Sequence, residues 1–309
     1  VFVRSEEYDK AKMNIDDAMS KIKTTISNDP EIKTLQQQID VLMSNIDVNK
    51  GTHNIAKRKS GIKGLLKGKG AYFKAPKELE VLKPFLEDDS VPKWAAWRME
   101  GFNEFGTKGL CPYCSVVDSD KTKEINQAFE DNFDKASVEY VSAIEKALNA
   151  LSEYLDMGKV EHFLSLFGVK DNSDEIEALL SKLYQDSEYL HTKLINIMMF
   201  NGIGVKREDI ANLDTTLKKM MIDPTACDSF FTSDLMKVKI KIINLEIETL
   251  LGKVNLLKEE IGKENSVIQA SIKNNEQDIN DFLKIAGFKY SFCVEVDVLI
   301  ECPVRGFLS

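Results

Sequence analysis

The run from about Ser233 to Ile285 constrains this chain more than any other feature, because it contains no proline and almost nothing else that would interrupt a helix. Within it Ile243, Ile247, Leu250, Val254, Leu257 and Ile261 follow alternating steps of four and three, and Ile268, Ile272 and Ile279 extend the stripe less regularly. That period places the apolar residues on one narrow helix face, as in a coiled-coil seam. A helix of roughly 50 residues is about 75 Å long, well beyond an ordinary globular helix. Two readings follow: one arm of a coiled coil, or a long helix laid on a globular body.

A matching seam lies near the other end. Ala11, Ile15, Ala18, Met19, Ile22 and Ile26 line one face of a helix expected over Ser5 to Asn28. Asn28-Asp29-Pro30-Glu31 then provides a cap and a proline at the first helical position, and Ile32, Leu35, Ile39, Leu42 and Ile46 resume the stripe. Two seams at opposite ends of one chain pair most simply as antiparallel arms. The expected architecture is therefore mainly α: antiparallel coiled-coil arms, a helical insert at their far end and a short C-terminal β stub. Its divisions are a first arm over 5–48, the insert over 49–228, a second arm over 229–286 and the stub over 287–309.

Inside the insert, Gly51, Gly61, Gly64, Gly68 and Gly70 make a continuous helix costly, so 49–77 reads as a loop or a broken helix. Short helices are expected over 76–98, with Pro84 and Pro92 at their boundaries. One long helix is expected from Asp118 to Leu155, and three more at about 158–168, 173–200 and 206–222. From Phe288 to Ile300 the alternation of Phe292, Val294, Val296 and Val298 predicts a strand.

Composition narrows the setting. With only 7 prolines and 16 glycines among 309 residues of which 43% are hydrophobic, the chain has a core to bury and favours helices over sheets. No window approaches a stretch of about eighteen apolar, uncharged residues, and the first residues lack a basic segment leading into an apolar block. Five sparse cysteines do not make a disulfide framework, so a reducing cytoplasm is the expected compartment. Val1 is not an initiator methionine, and the chain is expected to be cut from something longer.

The net charge of −9 conceals a local excess of the opposite sign. Between Val48 and Lys77 there is no acid, while Lys57, Arg58, Lys59, Lys63, Lys67 and Lys69 crowd the middle of the segment. Such a run can bind phosphate backbones with release of counterions, and Tyr72 and Phe73 could add stacking surface. It can equally be a solvated loop answering acidic helices of the same protein. It is not a nucleotide-binding loop, since that motif needs glycine where Lys63 stands and Ser or Thr where Gly70 stands.

The second candidate is Cys111-Pro112-Tyr113-Cys114. Two thiolates at this spacing make half of a tetrahedral zinc site, so Cys111 and Cys114 are the candidate metal ligands. His53, His162 and His191 show no ligand spacing to the pair, leaving distant residues or a second copy to complete it. A plain turn with two reduced thiols and a redox pair are the competing readings. No set of nucleophile, base and orienting group is visible, and acidic pairs such as Asp16-Asp17 and Glu259-Glu260 belong to solvated helix faces.

Taken together, the early arm, the approach through Trp94, Trp97 and Glu100-Gly101 to the Cys turn, the long returning helix and its close at Ile279-Asn280-Asp281-Phe282-Leu283-Lys284 with Gly287-Phe288 resemble the middle of an SMC-like ABC-type ATPase. The branch most resembled includes the PrrC-type proteins of bacterial anti-phage defence. The resemblance implies a head domain split around this chain, with ATP and magnesium bound in that head and not here. It also implies that residues from Phe288 onward are a stub of the head, and that Cys111 and Cys114 correspond to a pair which in some relatives joins two molecules through zinc. Here a helical insert follows the pair, unlike a hook at the apex of two equal arms. The implied role is an interaction region that couples the head to a partner protein, a second copy or nucleic acid. The alternative is an autonomous helical scaffold or adaptor without ATPase activity.

Overall fold

The computed structural model describes residues 6–49, 51–52, 54–70, 77–86, 91–106, 109–117, 119–167, 172–200 and 207–292. The chain is mainly helical, with no strand among the described residues. Its helices are α1 (Glu6–Asn28), α2 (Pro30–Asn45), α3 (Ser60–Leu65), α4 (Lys83–Leu86), α5 (Val91–Phe105), α6 (Asp120–Asn132), α7 (Lys135–Ala150), α8 (Met157–Ser165), α9 (Ser173–Met199), α10 (Arg207–Met220) and α11 (Asp234–Ile285). Single 3₁₀ segments cover Lys77–Leu82 and Pro224–Cys227.

The helices fall into two compact units. The first holds α1 up to Ile22, α10 up to Lys219 and α11 from Glu246 onward. Its core combines part of the expected seam with a helix expected in the insert: Ile15, Ala18, Met19 and Ile22 of α1, Leu213 and Leu217 of α10, and Ile247, Leu250, Val254 and Leu257 of α11 are all buried, while α2, expected to continue the first arm, belongs to the other unit. Each of the larger side chains, Ala18 apart, contributes about 1.5–3 kcal/mol by leaving water. Lys21 meets Glu246 at 3.7 Å, and Glu7 acts on Lys263, so α1 and α11 run past each other in opposite senses. Asp214 of α10 joins them through Lys258 at 3.0 Å. Beyond Leu257 the stripe is covered less: Ile261 and Ile268 are half-buried and Ile272 and Ile279 exposed, as are Phe282 and Ile285 outside it. α11 closes on Gly287, whose φ of +80° suits glycine; Gly287 N donates to Lys284 O and Phe288 N to Leu283 O. The chain then turns back, and the Asn280 side chain holds the Phe292 peptide from both sides, accepting from its N at 2.5 Å and donating to its O at 2.7 Å. The strand expected from Phe288 to Ile300 is absent over 288–292, and 293–300 lie outside the described residues.

The second unit holds the rest, from Lys23 to Phe200 and from Met220 to Leu245. α2 begins where the sequence places it. The Asp29 carboxylate accepts from Glu31 N at 2.8 Å and Ile32 N at 3.4 Å, with Pro30 in the first turn. Its buried face, Ile32, Leu35, Ile39 and Leu42, packs against α7 and α9. Two polar clamps fasten the segment that leads into α11. Asn244 accepts from Ile222 N at 2.9 Å and donates to Ile222 O at 2.8 Å, while the fully buried Asp186 of α9 accepts from Phe230 N at 3.2 Å.

The single helix expected from Asp118 to Leu155 is instead two, α6 and α7, broken at Phe133-Asp134. Phe133 is extended and fully buried, and Asp134 starts α7 afresh by accepting from Ser137 N at 2.9 Å. The reason is tertiary: α3 docks across the start of α7, and Gly70 N donates to Asn132 O at 2.8 Å. The stretch expected to be a loop or a broken helix thus contains a short helix that helps to position the break.

Candidate functional site

All six basic residues singled out above belong to α3 and its flanks, and the structure shows what each meets. Arg58 grips Asp47 with two hydrogen bonds, Nε to Oδ2 at 3.1 Å and Nη2 to Oδ1 at 2.7 Å, and also donates to Val48 O. This pairing raises its pKa, chiefly through the hydrogen bond to Asp47. Lys57 pairs with Glu177, Lys59 donates to Ser44 O at 3.2 Å, and Lys69 donates to Glu130 O at 2.9 Å. Lys63 and Lys67 project outward, with no ion pair among the described residues. Tyr72, Phe73 and Lys74 lie outside the described residues.

The glycines of this stretch serve contact rather than phosphate binding. A Cβ on Gly61 would stand 2.6 Å from Ala136 O and from Tyr140 Cβ, and one on Gly64 would collide with the Ser137 hydroxyl and the Asp134 carboxylate. With glycine at both positions, α3 lies directly on α7, and Ile62 and Leu65 are fully buried beside the contact.

Cys111 and Cys114 occupy a tight turn closed by Cys111 N to Val116 O at 2.8 Å and Ser115 N to Cys111 O at 2.9 Å, with an antiparallel bridge between Leu110 and Val117. Gly109 and Ser115 take positive φ values of 70° and 57° to shape it. Neither thiol forms a disulfide; Cys114 is exposed and Cys111 half-buried. Among the described residues no three His, Cys, Asp or Glu side chains converge as a metal set. Two thiolates fit half of a zinc site, so a zinc ion here would draw its other ligands from beyond these residues. His162 instead faces Glu175 at 3.6 Å, and His191 faces Asp40 at 2.6 Å. A further thiol, Cys227, is buried, and burial pushes its pKa up to about 12, which leaves it inert.

The turn docks on α5 through Tyr113. Its ring packs on Trp97 with centroids 4.4 Å apart, and its hydroxyl donates to Arg98 O. Gly101 makes this approach feasible, since a Cβ there would lie 2.6 Å from the Tyr113 hydroxyl. Burial raises the Tyr113 pKa, with Arg98 opposing the shift.

Sequence reasoning missed Arg98. Its guanidinium sits within 5.2 Å of the Phe129 ring centroid, 5.8 Å of Trp94 and 5.9 Å of Tyr113, and donates to Asn126 Oδ1 at 2.8 Å. Burial lowers its pKa; the Tyr113 and Cys111 side chains act in the other direction, and no carboxylate of the described residues is among the groups acting on it. Arg98 opens onto a cleft of about 620 Å³ between α5 and the α6–α7 break, floored by Met99, Phe102, Phe129 and Phe133. Lys69 and Lys135 border the cleft, as do Glu100, Glu104 and Glu130.

No helix among the described residues is long and apolar enough to cross a membrane. No family model matches the chain, and no curated protein or solved structure gives a significant match to it.

Proposed function

We propose that this chain is a helical interaction region in which α1 and α11 form antiparallel coiled-coil arms. In this reading the arms couple the nucleotide-binding head of an SMC-like ABC-type ATPase to the second unit, in the cytoplasm and in bacterial defence against phage. The chain itself performs no hydrolysis; ATP and magnesium belong to the head. The observation that carries the reading is the single 52-residue α11, whose seam from Ile243 to Leu257 is buried while its later stripe, from Ile261 to Ile279, is only partly covered by the described residues. A stiff paired helix can convey a small displacement at one end to residues far along it, provided that one of the joined elements has two states.

Nucleic-acid contact in this proposal falls mainly to Lys63 and Lys67, because Lys57, Arg58, Lys59 and Lys69 already have internal acceptors. Zinc would join two copies through Cys111 and Cys114 of each. Metal content of the purified chain beside a Cys111→Ser, Cys114→Ser variant tests that part, and equal zinc in both removes it.

The coding sequence on either side of these residues tests the whole. A phosphate loop before Val1, with signature and magnesium-binding motifs after Ser309, is the expected result. A start codon at Val1 and none of those motifs would make the chain an autonomous scaffold. In the intact product, Leu250→Pro should break α11 and uncouple ATP hydrolysis from any ligand bound by the second unit.

A further inference from the structure

We propose that the cleft beside Arg98 is a binding site for a small ligand with a single oxyanion head, a phosphate monoester or a carboxylate, on an apolar body. A guanidinium withdrawn from water is costly unless an anion or a set of acceptors compensates it. Among the described residues the half-buried Arg98 has Asn126 and three aromatic rings but no carboxylate partner, so ring faces and one amide are the contacts its charge makes with the protein. That arrangement holds the guanidinium at the cleft while leaving its charge without a carboxylate among the described residues, as recognition of an oxyanion requires.

The rest of the cleft specifies the remainder of the ligand. Met99, Phe102, Phe129 and Phe133 offer an apolar floor. Lys135, exposed at the rim, adds a second cation. The Asp134 carboxylate, which also lines the cleft, is held by Ser137, accepting from its N at 2.9 Å and its Oγ at 2.6 Å, and keeps its charge beside Lys135, so the main anion contact falls to Arg98. Exposed Glu100 and Glu104 at the cleft repel polyanions, which disfavours nucleic acid and selects a ligand carrying a single anionic head. The site lies against the Cys turn through Tyr113, so a bound ligand would steady the turn.

Titration calorimetry with phenyl phosphate, phenylacetate and benzylamine, followed in parallel by Trp fluorescence, tests the site. Saturable one-to-one binding of either anion and none of benzylamine is the expected result, and the tighter anion identifies the head group. Arg98→Gln should weaken that binding by about tenfold or more, and Lys135→Glu should weaken it less. Thermal unfolding establishes whether Arg98→Gln remains folded; if it does not, Lys135→Glu, on the exposed rim, decides alone. Absence of saturable anion binding, equal binding of benzylamine, or affinity unchanged in the folded variants would overturn the proposal.

Discussion

The basic stretch around α3 and the α5–Cys turn face lie in the same unit, and each attracts attention in the sequence, yet the structure treats them in opposite ways. Around α3 most of the cations have local acceptors, Arg58 on Asp47 and Lys57 on Glu177 among them, and the glycines are consumed by contact with α7. On the α5–Cys turn face Trp97, Leu110, Val116 and Val117 remain exposed, and Arg98 stands beside an open cleft with no carboxylate partner among the described residues. A conspicuous charge run is largely explained by the fold, whereas an inconspicuous single arginine is not. Compensation, more than composition, separates a structural charge from one available to a ligand.

The strongest way to break this comparison is Gly64→Val. If α3 is part of the core, its side chain must push into Ser137 and Asp134, and urea unfolding followed by Trp fluorescence should show a loss of about 3 kcal/mol; a neutral result would make α3 a loose surface loop. Gly101→Ala should cost less, about 1–2 kcal/mol, because the Tyr113 ring it meets can tilt away. Its specific mark should be faster thiol labelling at Cys114, while Cys227 stays unlabelled until the protein unfolds, both read by peptide mass mapping.

A pH series sharpens the account of the turn. Burial raises the folded pKa of Tyr113, so its contribution is complete below the ordinary tyrosine range and is lost as pH rises through the raised value. Stability of the Tyr113→Phe variant should lack that alkaline decline. The smallest effect is expected in nucleic-acid binding. Reversing Lys63 and Lys67 should flatten whatever salt-dependent binding exists, and reversing Lys57, Arg58 and Lys59 should act mainly by breaking internal pairs.

Much of the helical order was legible because it rests on local signals. Apolar periodicity marked α1, α2 and α11, and Asp29-Pro30 marked a start that the backbone hydrogen bonds of Asp29 explain. The division of α6 from α7 was not legible as a break, since Phe133-Asp134 reads as ordinary helix until α3 is laid against it. The glycines at 61 and 64 pointed to a loop or a broken helix, and only the neighbouring helix turns them into a packing surface. Trp94, Trp97 and Gly101 did stand out ahead of the Cys turn, and their roles are physical: a ring under Arg98, a ring beside Tyr113, and a gap for its hydroxyl. Arg98 could not be singled out. Its cleft is assembled from residues near 69, 96–104 and 126–135, and its lack of a carboxylate partner is a property of three dimensions.

Amide hydrogen exchange, read by mass spectrometry with and without phenyl phosphate, tests the contrast most directly. The account expects the α3 amides to be protected as well as those of α7 and to ignore the ligand, while α5 and the Cys turn gain protection when it is added. Exchange of α3 at the rate of an open loop, or ligand protection appearing at Lys57 to Lys69 and not at α5, would contradict it.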